Sequence, residues 1–163
     1  MDVLIRATRV LKTKLDDFQV LALGESYENP LKYHNLIKNC EVNDVFTWQN
    51  EFVTDNEIAN YFSAADVLAL PYHSASQSGI VQMAYHFNKP VVVTNVGGLP
   101  EYVKEKVSGF TIPPNNPDTL AECLAENLKN DTFNRMPEQI KTYKTQFSWE
   151  NFVTGIEELY EVL

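Results

Sequence analysis

Two short segments combine small residues, hydroxyl groups and glycine in a way that suits the binding of an anion. Residues 74–81 include Ser76, Gln77, Ser78, Gly79 and Ile80. Residues 95–101 include Gly97, Gly98 and Glu101. Backbone N–H groups at the start of a helix, together with the positive end of the helix dipole, bind phosphate groups. Both segments therefore predict phosphate binding that depends mainly on the backbone.

The sequence around these segments predicts the elements that position them. Residues 66–71 and 90–94 each precede one segment, and the second run is the β-branched stretch typical of a strand buried on both faces. After the first segment, apolar residues follow the i, i+3, i+4, i+7 spacing of a helix. Ligands of parallel sheets bind beyond the carboxyl ends of the strands. We therefore expect the two segments to hold one anionic ligand between them.

The rest of the chain alternates helix and strand patterns. Strands are predicted at residues 18–23, 45–49 and 110–112, and helices at residues 2–11, 30–40, 54–62, 100–107, 116–129, 137–146 and 148–163. This order predicts an α/β, Rossmann-like three-layer sandwich with a mainly parallel sheet, in one domain over residues 1–163. Because a helix precedes the first strand, we expect that a further strand ahead of residue 1 would complete the sheet.

Composition narrows the class of protein. The 163 residues carry a net charge of −9 with scattered Lys and Arg, which argues against nucleic-acid binding. No apolar run approaches the roughly 18 residues of a membrane-spanning helix, and no signal peptide is visible, so we expect a cytoplasmic protein. Cys40 and Cys123 are predicted to be buried free thiols. The Asp16–Asp17 pair is interpreted as a solvated loop, and no metal site is expected.

Several segments in a fixed order resemble the carboxy-terminal, donor-binding domain of GT-B glycosyltransferases of family four, the group-one type. They are residues 54–71, 88–94, 95–101, 109–118 and 147–150. The resemblance covers nearly the whole chain. It implies a nucleotide-diphosphate sugar donor, no metal or other cofactor, and a separate amino-terminal acceptor domain. It also implies that the parent enzyme transfers a hexose with retention to a glycan or lipid-linked acceptor, as in polysaccharide biosynthesis, with peripheral membrane contact only through the parent protein.

The resemblance also suggests roles for particular residues. The donor diphosphate would be bound by Ser76, Gln77, Ser78, Gly79, Ile80, Gly97 and Gly98. Gln82 and Glu101 would meet the sugar or the ribose. The loop that frames the nucleobase would correspond to Asn50, Glu51 and Phe52.

This sequence departs from the family in ways that bear on catalysis. Two glutamates that the family carries around the serine-rich turn are replaced by Ala75 and Met83. The cation-bearing segment ahead of the first helix and the acceptor domain are also absent from this sequence. We therefore expect the chain by itself to bind nucleotide weakly and to transfer nothing. A non-catalytic binding or assembly module is the alternative, and a sugar epimerase of the same architecture is a weaker one.

Each candidate residue also has a purely structural interpretation. Residues 76–80 could only cap a helix, and Gly97 and Gly98 could only supply a turn. Glu101 could only stabilise a helix start. His73 is expected to be an exposed loop residue. The helix over residues 148–163, with Trp149, Phe152 and Tyr160, is expected to pack into the core, with part of its apolar face exposed in the absence of the other domain.

Overall fold

The computed structural model describes residues 1–162. The strands are β1 Val20–Leu23, β2 Phe46–Gln49, β3 Leu68–Leu70, β4 Val91–Thr94 and β5 Gly109–Ile112. The α-helices are α1 Asp2–Leu11, α2 Pro30–Asn39, α3 Asp55–Ala64, α4 Gly79–His86, α5 Pro117–Lys129, α6 Pro137–Tyr143 and α7 Trp149–Val162. Short 3₁₀ helices span Leu99–Tyr102, Phe133–Arg135 and Lys144–Phe147. The predicted strands and helices are thus present, with shifts of a few residues at most of their ends, except for the helix expected over residues 100–107.

The helix starts follow from local sequence. Asn116 accepts a hydrogen bond from Thr119 N at 3.0 Å and is followed by proline at the first helical position of α5. Thr54 and Glu57 form the reciprocal capping box that begins α3. These side chains satisfy backbone N–H groups that have no partner within the helix. The predicted starts of these two helices are confirmed.

All strand pairs are parallel, as predicted. β1 pairs with β2, and β4 pairs with both β3 and β5. All four residues of β4 are buried, which agrees with a strand covered on both faces. The prediction of a single sheet is not met within the described residues, because the five strands form one two-stranded and one three-stranded sheet.

The hydrophobic core is divided in the same way as the strands. One cluster contains β4 together with buried residues of α1, α4 and α5, such as Val3, Val92 and Leu124. A smaller cluster contains Ile5, Ala22 and Phe46 with residues of α2. Helix α1 alone contributes fully buried side chains to both clusters, so it joins the two halves of the protein.

Three local predictions differ from the structure. The helix expected over residues 100–107 is a short 3₁₀ helix, Leu99–Tyr102, and Ser108 Oγ accepts a hydrogen bond from Lys104 N just beyond it. Cys40 is buried, but Cys123 is only half-buried, and its burial raises its pKa to about 11. The prediction that the last helix packs into the core is wrong for most of its apolar side chains. Trp149 is 79% exposed and Tyr160 is 82% exposed.

Candidate functional site at the carboxyl edge

The two glycine- and serine-containing turns are in direct contact. Gly98 N donates a hydrogen bond to the carbonyl oxygen of Ser76 at 2.8 Å. Gly97 has a φ of +51°, and a Cβ atom on it would lie 1.7 Å from the carbonyl oxygen of Ala75. Only glycine fits such a close approach of two backbones. The expectation that both turns meet at one edge of the sheet therefore agrees with this geometry.

Side chains from both turns surround this contact. A Cβ atom on Gly98 would lie 3.8 Å from Gln77 Cγ and 3.9 Å from Glu101 Oε2. The side chains of Ser76, Gln77 and Glu101 are exposed to solvent. The structure thus brings five of the predicted residues into one open cluster: Ser76, Gln77, Gly97, Gly98 and Glu101.

The start of helix α4 lies next to this cluster. Ser78 is the residue before the first helical turn, and its hydroxyl makes no capping hydrogen bond. Gly79 is exposed, and Ile80 is 38% exposed. The first N–H groups of a helix have no intrahelical partner, and the helix dipole makes this end positive. Capping by the serine hydroxyl therefore does not account for this turn.

The ends of β3 and β4 are fixed relative to each other. Thr94, the last residue of β4, is buried, and its Oγ1 donates a hydrogen bond to the carbonyl oxygen of Tyr72 at 2.7 Å. Tyr72 lies two residues before the serine-rich segment. A buried hydroxyl bond of this kind sets where the two turns leave the sheet.

The other predicted residues are Gln82 and three residues of the loop after β2. Gln82 is on α4, and its side chain is half-buried. Asn50 Oδ1 accepts a hydrogen bond from Ser26 N at 2.7 Å, which links the loops after β1 and β2. Glu51 is exposed, and Phe52 is 73% exposed. The nucleobase assignment of these three loop residues therefore stays a prediction.

One cluster at this edge was not predicted from the sequence. His73 Nε2 donates to Asp2 Oδ1 at 2.8 Å, and His73 Nδ1 is bonded to the Asn115 side-chain oxygen. With an acceptor at each ring nitrogen, the doubly protonated imidazolium is favoured. The bond to Asp2 is the main cause, and the bond to Asn115 the second, of a His73 pKa above its ordinary value. These partners lie 71 and 42 residues away, so no local pattern reveals them.

Asp2 completes the electrostatics of this cluster. Partial burial raises its pKa, but the hydrogen bond and charge of His73, with a backbone bond from Val3, lower the pKa overall. The raised pKa of His73 favours its charged form, and a carboxylate at the start of α1 holds the ring in place. His73 stands just before the serine-rich segment, in a part of the sequence with few Lys or Arg residues, and the Asp2 carboxylate balances its charge.

We expect the Asp2→Asn variant to lower the His73 pKa toward 6.5, measured by NMR titration of its ring protons. A raised His pKa stabilises the fold below the unfolded-state value and loses this effect as pH rises through the folded-state value. A lowered Asp pKa stabilises the fold above about pH 4. The His73–Asp2 pair therefore contributes most to the free energy of unfolding between about pH 4 and 6.5. Because the pair is exposed, this contribution is less than about 1 kcal/mol.

The control for this titration is Asp44→Asn, which removes an exposed carboxylate paired with Lys12 near the amino end of β2. It should leave the His73 pKa unchanged. If both variants lowered the His73 pKa equally, the net charge of the protein, and not the contact with Asp2, would set that pKa.

Neither metal ligation nor a membrane span is indicated by the described residues. Within residues 1–162, no three His, Cys, Asp or Glu side chains are grouped to hold a metal ion. None of the helices over the same residues is long and apolar enough to cross a bilayer.

Comparison with known proteins places this geometry in a family. The family model of glycosyl transferases group 1 matches residues 1–147. A D-inositol 3-phosphate glycosyltransferase of Corynebacterium aurimucosum is 32% identical over 165 residues, covering 98% of this chain and 39% of that protein. The chain thus spans well under half the length of this curated relative.

Solved structures share the fold at lower identity. Anabaena Alr3699/HepE in complex with UDP superposes with a TM-score of 0.83 at 18% identity, covering 99% of this chain and 44% of that one. The C-terminal domain of a group 1 glycosyl transferase, LpcC from Francisella tularensis, gives a TM-score of 0.78 at 18% identity, covering 89% of this chain and 77% of that one. The predicted GT-B, Rossmann-like fold is therefore confirmed. The chain belongs to the group 1 glycosyl transferases, and it corresponds to the carboxy-terminal domain of their GT-B fold.

Proposed function

We propose that this chain binds the nucleotide-diphosphate sugar donor of a glycosyltransferase. The observation that carries the proposal is the 2.8 Å hydrogen bond from Gly98 N to Ser76 O, which joins two helix-opening turns at the carboxyl edge of the sheet. One diphosphate placed there would face backbone N–H groups from both turns. The relative's name and the UDP complex of the Anabaena protein support a donor of this class.

Each residue of the cluster has a physical role in this proposal. The N–H groups at the start of α4 and of Gly97 would bind the diphosphate, while the Gly98 N–H stays bonded to Ser76 O and holds the two turns together. The His73 imidazolium would add positive charge, which the Asp2 carboxylate partly offsets. Glu101 and Gln82 would accept hydrogen bonds from sugar or ribose hydroxyl groups. Positive charge and N–H donors at the diphosphate would stabilise the leaving group as the glycosidic bond breaks.

For the whole protein, we propose transfer of a hexose, with retention of anomeric configuration, to a glycan or a lipid-linked acceptor. The reaction would need no metal held by carboxylates and would serve polysaccharide biosynthesis in the cytoplasm. The acceptor would bind to a separate amino-terminal domain, with catalysis between the two. The chain alone would then bind donor without transferring it.

A non-catalytic binding or assembly module is the second candidate. The replacement of two expected carboxylates by Ala75 and Met83 favours it, since neither side chain carries charge and the Met83 thioether is at most a weak hydrogen-bond acceptor. Turnover by the full-length protein separates the two candidates. Activity that is lost when Ser78 is replaced by tryptophan would support the enzyme, and a full-length protein without turnover on any nucleotide sugar would support the module.

Nucleotide titration tests donor binding directly. We expect UDP, GDP or ADP at millimolar concentration to shift the backbone amide NMR signals of Ser76, Ser78, Gly79 and Gly98. Inorganic diphosphate should shift the same signals more weakly, because it lacks the base and ribose. The signals of Gly155, on the exposed helix α7, should not move. The absence of any shift at the two turns with all three nucleotides would contradict donor binding.

A further inference from the structure

His73 joins three segments of the carboxyl edge that lie far apart in the sequence. It belongs to the loop between β3 and α4. Its Nε2 is 2.8 Å from Oδ1 of Asp2, the first residue of α1. Its Nδ1 contacts the side-chain oxygen of Asn115, in the loop between β5 and α5. We call these three residues the His73 clasp.

The two partners of His73 are attached to packed helices. Asp2 opens α1, which packs against α5 and buries side chains such as Ile5. Asn115 has a φ of +56°, a conformation that asparagine adopts more readily than most residues. The next residue, Asn116, caps α5. The clasp therefore holds a loop residue against a frame formed by two helices of the core.

The loop between β3 and α4 is held at two other points as well. Thr94 Oγ1 donates to Tyr72 O at 2.7 Å, and Gly98 N donates to Ser76 O at 2.8 Å. His73 lies between Tyr72 and Ser76 in the sequence. Of these three attachments, the clasp is the one that changes with protonation near neutral pH, because hydroxyl and backbone groups do not titrate there.

Both partners present an acceptor to the imidazole ring. Asp2 offers a carboxylate oxygen and Asn115 an amide oxygen. The doubly protonated ring has an N–H at each nitrogen, whereas the neutral ring has only one. The complete clasp therefore needs the doubly protonated form, and one of its two bonds is lost as pH rises through the pKa of His73.

The charges around His73 favour the complete clasp. Among the described residues, the charged groups that act on it belong to the start of α1, namely the Asp2 carboxylate and the Met1 amino group, while Asn115 is uncharged. The bond to Asp2 is the main cause, and the bond to Asn115 the second, of a raised His73 pKa. Partial desolvation and the Met1 amino group act in the opposite direction and are outweighed.

We propose that His73 is a positioning residue for the donor site: its doubly protonated ring holds the serine-rich segment, residues 74–81, in place, and loss of one proton loosens that segment and weakens donor binding. The proposal rests on the proposed function of the two turns. It gives His73 an effect through the bond from Gly98 N to Ser76 O, in addition to the charge of its ring. Donor binding should therefore weaken as pH rises.

Hydrogen exchange of the ligand-free chain tests the effect on the turn. The protection factor of the Gly98 amide, corrected for intrinsic exchange, reports how often its bond to Ser76 O opens. We expect it to fall about threefold to fivefold between about pH 5.5 and 8.5, with the midpoint of the His73 ring titration. The Asn95 amide, which donates to Ile112 O, should keep a constant protection factor.

Calorimetric titration with UDP-glucose tests the effect on the donor site. Its phosphates are both esterified and do not titrate in this pH range, so a change in Kd comes from the protein. We expect the Kd to rise by about threefold to fivefold over the same range. His73→Lys keeps its charge and N–H donors throughout, so its Kd and Gly98 protection should not change with pH. His73→Gln should bind as weakly at all pH values as the parent does at high pH.

A Gly98 protection factor that is independent of pH would overturn the proposal. It would mean that the Asn115 amide turns to donate to the neutral ring, or that other contacts hold the turn. A Kd that changes with pH at constant Gly98 protection would overturn it too, because His73 would then act only as a charge. If UDP-glucose does not bind, GDP- and ADP-glucose replace it. Failure of all three contradicts donor binding, while the Gly98 measurement still decides whether His73 holds the turn.

Discussion

Replacing Gly97 by alanine should weaken nucleotide binding by at least tenfold and destabilise the fold by about 3 kcal/mol. The positive φ of +51° costs an L-residue with a side chain about 1–2 kcal/mol. The added Cβ would also lie 1.7 Å from the Ala75 carbonyl oxygen, a backbone atom that cannot rotate away. Separation of the two turns would stretch the hydrogen bond from Gly98 N to Ser76 O, which holds the proposed diphosphate site together.

Urea unfolding and calorimetric titration with UDP measure the two effects of Gly97→Ala. The stability control is Gly79→Ala, in the neighbouring turn, where an added Cβ meets nothing within 4 Å. Its unfolding free energy should equal or exceed that of the parent, because alanine is favoured over glycine in a helix by up to about 1 kcal/mol. An alanine at position 97 that leaves both stability and nucleotide affinity unchanged would contradict the described contact between the turns.

Replacing Gly109 by alanine should have the larger effect on stability, about 4 kcal/mol. An added Cβ would lie 2.0 Å from the Val91 carbonyl oxygen and 2.9 Å from Val91 Cγ2. Val91 and Gly109 are direct partners in the β4–β5 register, and Val91 is fully buried. The strands must separate to admit a methyl group, and overpacking a tight core in this way costs several kcal/mol in severe cases.

The unfolding free energy of Gly109→Ala is measured by urea denaturation monitored by circular dichroism. Gly155→Ala on the exposed face of α7 is the matched control, because an added Cβ there also meets nothing within 4 Å. It should change stability by less than about 1 kcal/mol, in the stabilising direction. Equal effects of the two substitutions would show that β4 and β5 are not packed as closely as described.

Local sequence predicted the elements well because the forces that define them are local. The capping box at Thr54 and the Asn116–Pro117 pair specify helix starts through bonds within a few residues. The β-branched run of β4 predicted a strand buried on both faces, since a parallel sheet is covered by helices on both sides. The sequence also predicts that both turns bind phosphate, because such binding depends on glycine and a helix start.

Contacts between distant residues could not be predicted in the same way. The bond from His73 to Asp2 joins residues 71 positions apart, and neither residue has a neighbouring pattern that marks the other. The exposure of Trp149 and Tyr160 depends on what packs against α7, which its own amphipathic spacing does not state. The assignment of Asn50, Glu51 and Phe52 to the nucleobase stays a prediction for a related reason, since a loop position has little local signature.

By itself, the sequence determined the parallel α/β order, the places where helices begin, and the two turns that could bind a phosphate. These properties arise from hydrogen bonds and steric preferences within a few residues of chain. Only the tertiary structure decided that Gly97 meets Ala75 and that His73 is held by Asp2. These contacts join residues that are separated in the sequence. They depend on the packing of the whole core, so no single segment predicts them.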